Sequence, residues 1–171
     1  NSENCDYIRY KSNLMKTNNN IIFRSFKEGD YKTCCEWWKF WWGSFGAEPI
    51  RRGFLPKDER CYIIEKDNIP IAATFLILSY DIPAVAWTTY LVSNPEYKEK
   101  DRRSLIETLI KNVEKKAEKY GVLQLFTVCG DKHMSDIHKN LEWEMSPAKH
   151  EAFKYLINNL KKIDKNYGKK S

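Results

Sequence analysis

The stretch Val85-Ala-Trp-Thr-Thr-Tyr-Leu-Val-Ser-Asn-Pro-Glu-Tyr-Lys-Glu-Lys-Asp-Arg-Arg-Ser-Leu-Ile106 decides how the rest of the chain is interpreted. The residues from Val85 to Val92 have the β-branched and aromatic content of a strand, and the last five residues open a long amphipathic run. A charged loop joins the two. This order of strand, loop and helix N-terminus suits phosphate binding, because the first backbone N–H groups of a helix have no intrahelical partner. We therefore expect the functional centre of the chain here.

A long helix begins near Arg102 and is followed by further regular structure. Its apolar residues recur at helical spacing on one face: Leu105, Ile106, Leu109, Ile110, Val113, Ala117 and Tyr120. Asp101 is the predicted N-cap, and Gly121 occupies the position of a C-terminal cap. The apolar run Val122-Leu-Gln-Leu-Phe-Thr-Val-Cys129 predicts a short, buried central strand. A helix is predicted over Lys132–Leu141.

The residues before this centre predict a strand, a helix and a hairpin. Ile21–Phe26 has the composition of a strand, and Asp30 is the predicted N-cap of a helix from Tyr31 to about Trp42. Residues 43–60 predict a loop with at most one short helical turn, because glycine and proline recur in it. Two strands then flank a turn at Lys66-Asp67-Asn68, and a second turn at Tyr80–Pro83 leads into Val85. The result is an antiparallel three-strand meander, and residues 151–157 predict a further strand.

Four tryptophans fall within six positions of the first helix: Trp37, Trp38, Trp41 and Trp42. We favour a helix that packs on a sheet and uses the surplus rings in a second contact. The alternative is that some rings line a substrate or partner cleft, since tryptophan combines a large apolar area with a polar N–H. A protein partner on this helix or on the termini is compatible with either interpretation.

Composition sets the class of protein. The 171 residues predict one globular domain over residues 20–160, with a polar extension over 1–19 and a basic tail over 161–171. Five cysteines without a CxxC pair and only three histidines argue against a disulfide framework or a metal site, so we expect a reducing, cytoplasmic location. No run is apolar and long enough to span a bilayer. The net charge of +6 permits an anionic partner, but no nucleic-acid-binding motif is present.

The order of elements and three motifs resemble the GNAT superfamily of N-acetyltransferases over roughly residues 20–160. Ile22–Tyr31 is similar to the opening strand and its turn into the first helix. Val92-Ser-Asn-Pro-Glu-Tyr97 with the charged residues after it is similar to the acetyl-CoA-binding segment, and His138-Lys-Asn-Leu-Glu-Trp143 to the late motif of that family. Virus-encoded members are the closest in character, on account of the Asn- and Lys-rich composition.

The resemblance implies an α+β fold with a central mixed, mostly antiparallel sheet of about six to seven strands and helices on both faces. It implies acetyl-CoA as acyl donor and an amine as acceptor. Leu91 and Val92 would then face the pantetheine arm, Asp131 would lie near it, and His138 would protonate the departing thiolate. The residues that would surround the pyrophosphate are Lys98, Glu99, Lys100, Asp101, Arg102, Arg103 and Ser104.

The sequence departs from the family pattern at the phosphate loop. The two glycines of typical members fall on Asp101 and Arg103, and glycine there allows the backbone to approach the phosphates closely. Lysine and arginine side chains would have to bind the phosphates directly. Thr88 and Thr89 stand on the strand where many members have a general base. Two hypotheses stay open: an N-acyltransferase, and a catalytically degenerate member that works as a binding or structural module.

Overall fold

The structure, a computed structural model, describes residues 20–79 and 84–145. In chain order its elements are β1 (Ile21–Ser25), α1 (Asp30–Trp42), β2 (Cys61–Lys66), β3 (Ile69–Leu78), β4 (Val85–Ser93), α2 (Arg102–Lys119), β5 (Gln124–Phe126) and α3 (Lys132–Asn140). The strands form one sheet in the order β1-β2-β3-β4-β5, antiparallel except for the parallel pair β4–β5. The α+β class is confirmed, with five strands in these two segments instead of six to seven. The strand predicted over residues 151–157 lies outside them.

Helices cover both faces of the sheet, as predicted. Successive residues of β2 point to opposite faces, so Tyr62 and Ile64 pack with α2 while Cys61 and Ile63 pack with α1. The core on the α2 side contains Leu105, Ile106, Leu109, Ile110, Val113 and Ala117 of that helix and Ile137 of α3. The core on the α1 side contains Cys34, Trp37 and Trp38, with Ala73, Phe75 and Val92 of the sheet. The favoured interpretation of the Trp-rich helix is thus correct for Trp37 and Trp38.

The β2–β3 hairpin follows from its turn residues. Lys66 pairs with Ile69, which leaves only Asp67 and Asn68 between the strands. These two residues have φ values of 52° and 66°. Asp and Asn tolerate this left-handed backbone better than most residues, and two-residue hairpins require it. The predicted hairpin and the antiparallel pairing of β2, β3 and β4 are confirmed, whereas the turn at Tyr80–Pro83 is not among the described residues.

The C-terminal end of α2 is closed by glycine, as the sequence predicts. Gly121 has φ 78°, and its N–H donates to the Glu118 carbonyl at 2.9 Å. The N–H of Val122 reaches back to the Ala117 carbonyl at 3.1 Å, which completes a Schellman motif. Of the helices in residues 20–79 and 84–145, none has the length and apolarity to cross a membrane.

The start of α1 differs from the prediction. Asp30 is the first residue of the helix and Gly29, with φ 89°, occupies the N-cap position. The Asp30 carboxylate instead accepts from the Lys27 N–H at 2.7 Å and from the Arg24 guanidinium at 2.5 Å. Asp30 is therefore not the N-cap, because a cation on β1 holds its side chain away from the helix N–H groups. The loop after α1 forms three 3₁₀ turns instead of at most one, at Gly43–Phe45, Arg52–Phe54 and Asp58–Arg60.

β5 is shorter and more exposed than predicted. It covers Gln124–Phe126 instead of residues 122–129, and its flank Leu123 is 87% exposed. In the part of the chain that the structure describes, β5 lies at the edge of the sheet and pairs on one side only. The prediction of a buried central strand is wrong for these residues. Apolar composition predicts a strand but not its place in the sheet, which depends on the neighbours it finds.

Candidate functional site

The centre of the site is the edge of β4 after the strand parts from β5. On one side β4 pairs with β3 along its length, from Ala86 opposite Leu78 to Ser93 opposite Ala72. On the other side it pairs with β5 at three positions only, the last of them Trp87 opposite Phe126. From residue 88 onward this edge has no strand partner in the described segments. β4 therefore parts from β5 after Trp87, and a strand edge without a strand partner can accept a ligand along it.

A β-bulge lies within the open part of β4. Ala73 pairs with Val92 and Phe75 with Thr89, so Tyr90 and Leu91 together stand opposite the single residue Thr74. Tyr90 has φ 54°, a strained value for a tyrosine. The Thr74 hydroxyl donates to the Thr89 carbonyl at 3.2 Å, which holds the backbone next to the bulge. A bulge turns the local N–H groups out of the ladder, which is how a strand presents donors to a bound group.

The two strand residues predicted to face pantetheine have different environments. Leu91 is half-buried and packs on the α2 side of the sheet, while Val92 is 3% exposed and belongs to the α1-side core. The Val92 side chain is therefore committed to the core. Only its backbone is left for an interaction along the β4 edge.

Arg102, the first residue of α2, is placed at the end of β4 by two contacts. Its Nη2 donates to the Ser93 hydroxyl at 2.5 Å, and its guanidinium carbon lies 5.1 Å from the centre of the Trp41 ring. Burial lowers the pKa of Arg102, but a guanidinium stays protonated at neutral pH. None of the ion pairs within residues 20–79 and 84–145 involves Arg102. A half-buried cation without a carboxylate partner at a helix N-terminus has the charge and position to bind an anion.

Its sequence neighbour Arg103 has a different partner. The Arg103 Nε lies 3.1 Å from Glu107 Oε1, one turn along the helix, and the charge is thereby compensated. Ser104, Lys98 and Lys100 are exposed. Among the predicted phosphate-binding residues, Arg102 thus differs from Arg103 in being held in place without a carboxylate partner in the described segments.

Asp101 keeps its negative charge away from an incoming anion. Its carboxylate binds Lys66 Nζ at 2.6 Å and accepts from the Tyr97 hydroxyl at 2.8 Å, and it makes no side-chain cap to α2. The Lys66 bond is the main cause that lowers the pKa of Asp101, followed by the Tyr97 bond. Asp101 is at the predicted N-cap position, but its side chain ties the helix start to β2. The repulsion expected from an aspartate in a phosphate loop is offset by Lys66.

A cavity of about 440 Å³ lies beside this group, between the β2–β3 turn and the loop after β4. Its polar lining consists of Lys66, Asp67, Asn94, Glu96, Tyr97, Lys98 and Glu99. Three of these residues are carboxylates and two are lysines, one of which is already bound to Asp101. Such a lining does not favour a polyanion. Lys98 and Glu99 thus contribute to the lining of this cavity, and Arg102 is not among its lining residues.

His138 is buried in α3, at 3% exposure, with its ring edge-on to Trp143 at 4.9 Å. Its Nδ1 lies 2.8 Å from the Met134 carbonyl, an acceptor only, so the Nδ1 carries a proton. Burial is the main cause that lowers the pKa of His138, and the ring is neutral near pH 7. A neutral ring with its proton on Nδ1 presents Nε2 as an acceptor, the opposite of what an acid needs. The acid role implied by the resemblance stays a prediction.

Cys129 lies next to this histidine but is not activated by it. Its Sγ is 3.5 Å from His138 Nδ1, whose proton is already donated to the Met134 carbonyl. Burial raises the pKa of the Cys129 thiol. A thiol of raised pKa beside a nitrogen that cannot accept its proton is a poor nucleophile.

Asp131, predicted near pantetheine, caps α3. Its Oδ1 accepts from the Met134 N–H at 2.8 Å, the usual N-cap bond. One carboxylate oxygen is therefore used by the helix, and proximity to a cofactor stays a prediction.

Sequence reasoning missed Ser93 and Trp41 as members of the site. Both bind Arg102, and the Trp41 Nε1 donates to the Ser93 carbonyl at 2.7 Å across 52 positions of sequence. The only sequence signal was the surplus of tryptophans on α1, which the alternative interpretation assigned to a cleft. No local pattern connects α1 to the end of β4, because the contact is made by packing on the sheet.

No family profile matches this sequence, and no curated protein sequence matches it. Solved structures match its fold. The N-acetylglutamate synthase of Neisseria gonorrhoeae, complexed with coenzyme A and N-acetyl-glutamate, matches 70% of this chain and 27% of its own at 16% identity and TM-score 0.56. An aminoglycoside acetyltransferase from an uncultured soil metagenomic sample matches 82% of this chain and 99% of its own at 11% identity and TM-score 0.55. A possible acetyltransferase from Clostridium difficile 630 matches 80% and 98% at 14% identity and TM-score 0.56.

This chain thus spans 27% of the length of the synthase and nearly all of the other two proteins. Identities of 11% to 16% show a shared fold. Nothing in these matches supports a viral origin. The described residues, with β4 parting from β5 and running into the N-terminus of α2, have the fold of the GNAT acetyltransferases.

Proposed function

We propose that this protein is an N-acetyltransferase that moves an acetyl group from acetyl-CoA to an amine. The observation that carries the proposal is the open, bulged edge of β4, which ends at the N-terminus of an 18-residue helix whose first residue is the uncompensated Arg102. The fold neighbours add support, since one of them is an aminoglycoside N-acetyltransferase in complex with CoA.

Each part of this edge suits one part of the donor. After Trp87 this edge of β4 has no strand partner in the described segments, so a pantetheine arm can lie along it as a neighbouring strand would. The α2 N-terminus and Arg102 suit a pyrophosphate, by orphan N–H groups and by charge-assisted hydrogen bonds. A β-bulge in such a strand can direct backbone N–H groups at a carbonyl oxygen that becomes negative during the reaction.

The reaction needs no covalent intermediate on the protein. A neutral acceptor amine attacks the thioester carbonyl carbon, a C–N bond forms, and the C–S bond breaks. The sulfur leaves as a thiolate and takes up a proton, while the new amide nitrogen gives up its extra proton to solvent or a base. The protein contributes by orienting the two reactants and stabilising the oxyanion, effects worth several orders of magnitude together.

Isothermal titration calorimetry with acetyl-CoA tests the donor site, with the full chain and with 3′-dephospho-CoA and desulfo-CoA as comparison ligands. We expect saturable binding of acetyl-CoA in the micromolar range typical of such substrates, about 1 μM to 1 mM. Absence of binding at about 1 mM ligand would overturn the enzyme proposal.

Turnover is measured by the release of free CoA thiol in the presence of a panel of amines. The panel includes glutamate, because one fold neighbour is complexed with N-acetyl-glutamate, and sisomicin, because another is in complex with it, together with a lysine-containing peptide. We expect amine-dependent thiol release with at least one class. If acetyl-CoA bound but no amine of the panel led to the release of free CoA thiol, the alternative of a catalytically degenerate binding module would be favoured.

A further inference from the structure

We propose that Trp41 is a positioning residue of the donor site: it holds the Arg102 guanidinium at the end of β4, and the affinity for a pyrophosphate depends on it through Arg102. The proposal rests on the donor site of the proposed function and adds a residue from a different element. Trp41 lies on α1, and the strands β2, β3 and β4 come between it and Arg102 in the sequence.

Three contacts join Trp41, Ser93 and Arg102. The Trp41 Nε1 donates to the Ser93 carbonyl at 2.7 Å, and Arg102 Nη2 donates to the Ser93 hydroxyl at 2.5 Å. The Arg102 guanidinium carbon lies 5.1 Å from the centre of the Trp41 ring, within the range of a cation–π contact. Each residue of the three is thus held by the other two.

The contacts of Arg102 leave most of its guanidinium donors available. Arginine carries five N–H donors, and the Ser93 hydroxyl accepts from one of its nitrogens. The contact with the Trp41 ring uses no hydrogen bond. Within residues 20–79 and 84–145 the guanidinium makes no other hydrogen bond, so it can form a bidentate bond to phosphate oxygens.

Holding the side chain before the ligand arrives raises affinity. A free arginine side chain has many rotamers, and ordering it on binding reduces the free energy gained from the new bonds. Arg103 shows what happens to the same residue type on α2 without an aromatic neighbour, because its guanidinium turns to Glu107. Without Trp41, we expect Arg102 to lose its fixed position.

The test is a double-mutant cycle on the full chain, with Trp41→Leu, Arg102→Ala and the combined variant. Acetyl-CoA affinity is measured by calorimetry, and inorganic pyrophosphate is titrated in parallel. We expect Trp41→Leu to weaken binding about fivefold, and to have almost no further effect in the Arg102→Ala background. Equal effects of Trp41→Leu in both backgrounds would overturn the inference, since the tryptophan would then act independently of the arginine.

Two further variants separate positioning from general packing. Trp41→Phe keeps an aromatic face for Arg102 and removes the N–H bond to Ser93, so we expect it to recover part of the affinity. Phe45→Leu is the matched control, because Phe45 is a large aromatic on the same segment at 85% exposure. We expect it to bind acetyl-CoA as the unaltered chain does. If Phe45→Leu lowered the affinity for acetyl-CoA as much as Trp41→Leu does, the effect of Trp41 would come from the stability of this segment and not from its contact with Arg102.

S-Acetylpantetheine, which has the thioester but no pyrophosphate, distinguishes the two proposals. We expect its KM to be the same in the unaltered protein and in Trp41→Leu, because no anion reaches Arg102. If acetyl-CoA fails to bind but pyrophosphate binds with the expected cycle, the proposed function fails and the role of Trp41 stands. If Trp41→Leu raises the KM of acetylpantetheine as much as that of acetyl-CoA, the role of Trp41 fails and the enzyme stands.

Discussion

Arg102 and Arg103 are adjacent, carry the same charge and begin the same helix, yet their side chains make different contacts. Arg102 is fixed by Ser93 and Trp41 and has no carboxylate partner in the described segments, while Arg103 is paired with Glu107. The sequence could not separate them, because the contact of Arg102 with Trp41 on α1 is made only in the tertiary fold. The contrast provides a matched pair of substitutions.

We expect Arg102→Ala to weaken acetyl-CoA binding about tenfold or more, the loss of a charge-assisted bond worth ~1.5–3 kcal/mol. Arg103→Ala should weaken it about twofold at most, since a half-exposed cation already paired contributes little. Calorimetric titration of both variants measures the difference. Equal losses would show that the affinity for acetyl-CoA depends on the net charge of this helix end and not on the position of Arg102.

The contacts of the His138 ring predict a structural role for this residue. Its buried, neutral ring donates to the Met134 carbonyl and packs against Trp143, so we expect His138→Gln to lower the free energy of unfolding by ~1–2 kcal/mol through the loss of that bond and of the ring contact. Chemical denaturation measures that change. The control is kcat of the same variant at a temperature where it is folded, which should stay within about threefold. A fall in kcat of about 100-fold with a stable fold would instead establish the acid role.

The turns and helix ends that the sequence predicts correctly are those whose own residues determine their backbone. The β2–β3 hairpin depends on Asp67 and Asn68, and the end of α2 on Gly121, all residues with the backbone preferences that their positions require. The start of α1 was mispredicted for the same kind of reason. Asp30 is a good N-cap in isolation, but a cation on β1 captures its carboxylate. A local rule holds until a residue from another element competes for the same group.

Two glycines at helix ends provide a test of this local control. Gly121 has φ 78°, and Gly43 at the end of α1 has φ −59°; a Cβ would meet nothing within 4 Å at either. We expect Gly121→Ala to lower the free energy of unfolding by about 1 kcal/mol through backbone strain. Gly43→Ala should raise it by about 0.5 kcal/mol, since alanine restricts the unfolded chain. Denaturant titration of both measures this, and a destabilisation by Gly43→Ala equal to that of Gly121→Ala would contradict it.

At the scale of the whole molecule, one ion cluster joins the first three elements. Arg24 of β1 binds Asp30 of α1 and Glu65 of β2, and Glu65 is only 5% exposed. The Arg24 bond is the main cause that lowers the pKa of Glu65, against the effect of burial. This carboxylate therefore stabilises the fold above the ordinary glutamate pKa, and its contribution is lost as the pH falls through the lower value of the folded state.

We expect Glu65→Gln to lower the free energy of unfolding at neutral pH by about 2 kcal/mol, the value of a charge-assisted bond at a buried site. The difference in Tm between this variant and the unaltered chain should shrink as the pH is lowered below about 4.5, because protonation removes the same charge. Thermal melts followed by circular dichroism between about pH 7 and pH 3 measure it. A difference that does not change with pH would mean that the side-chain shape, and not its charge, stabilises the cluster.

The sequence by itself determined the class of fold, the β2–β3–β4 meander and the apolar face of α2, because periodicity and turn chemistry are local. Only the tertiary structure decided that β5 lies exposed at the edge of the described sheet, that Lys66 neutralises Asp101, and that Trp41 and Ser93 hold Arg102. Lys66 and Asp101 are 35 positions apart and Trp41 and Ser93 are 52 positions apart, while the place of β5 depends on the strand neighbours that the sheet provides. Their physical cause is packing across the sheet, which no local pattern of residues encodes.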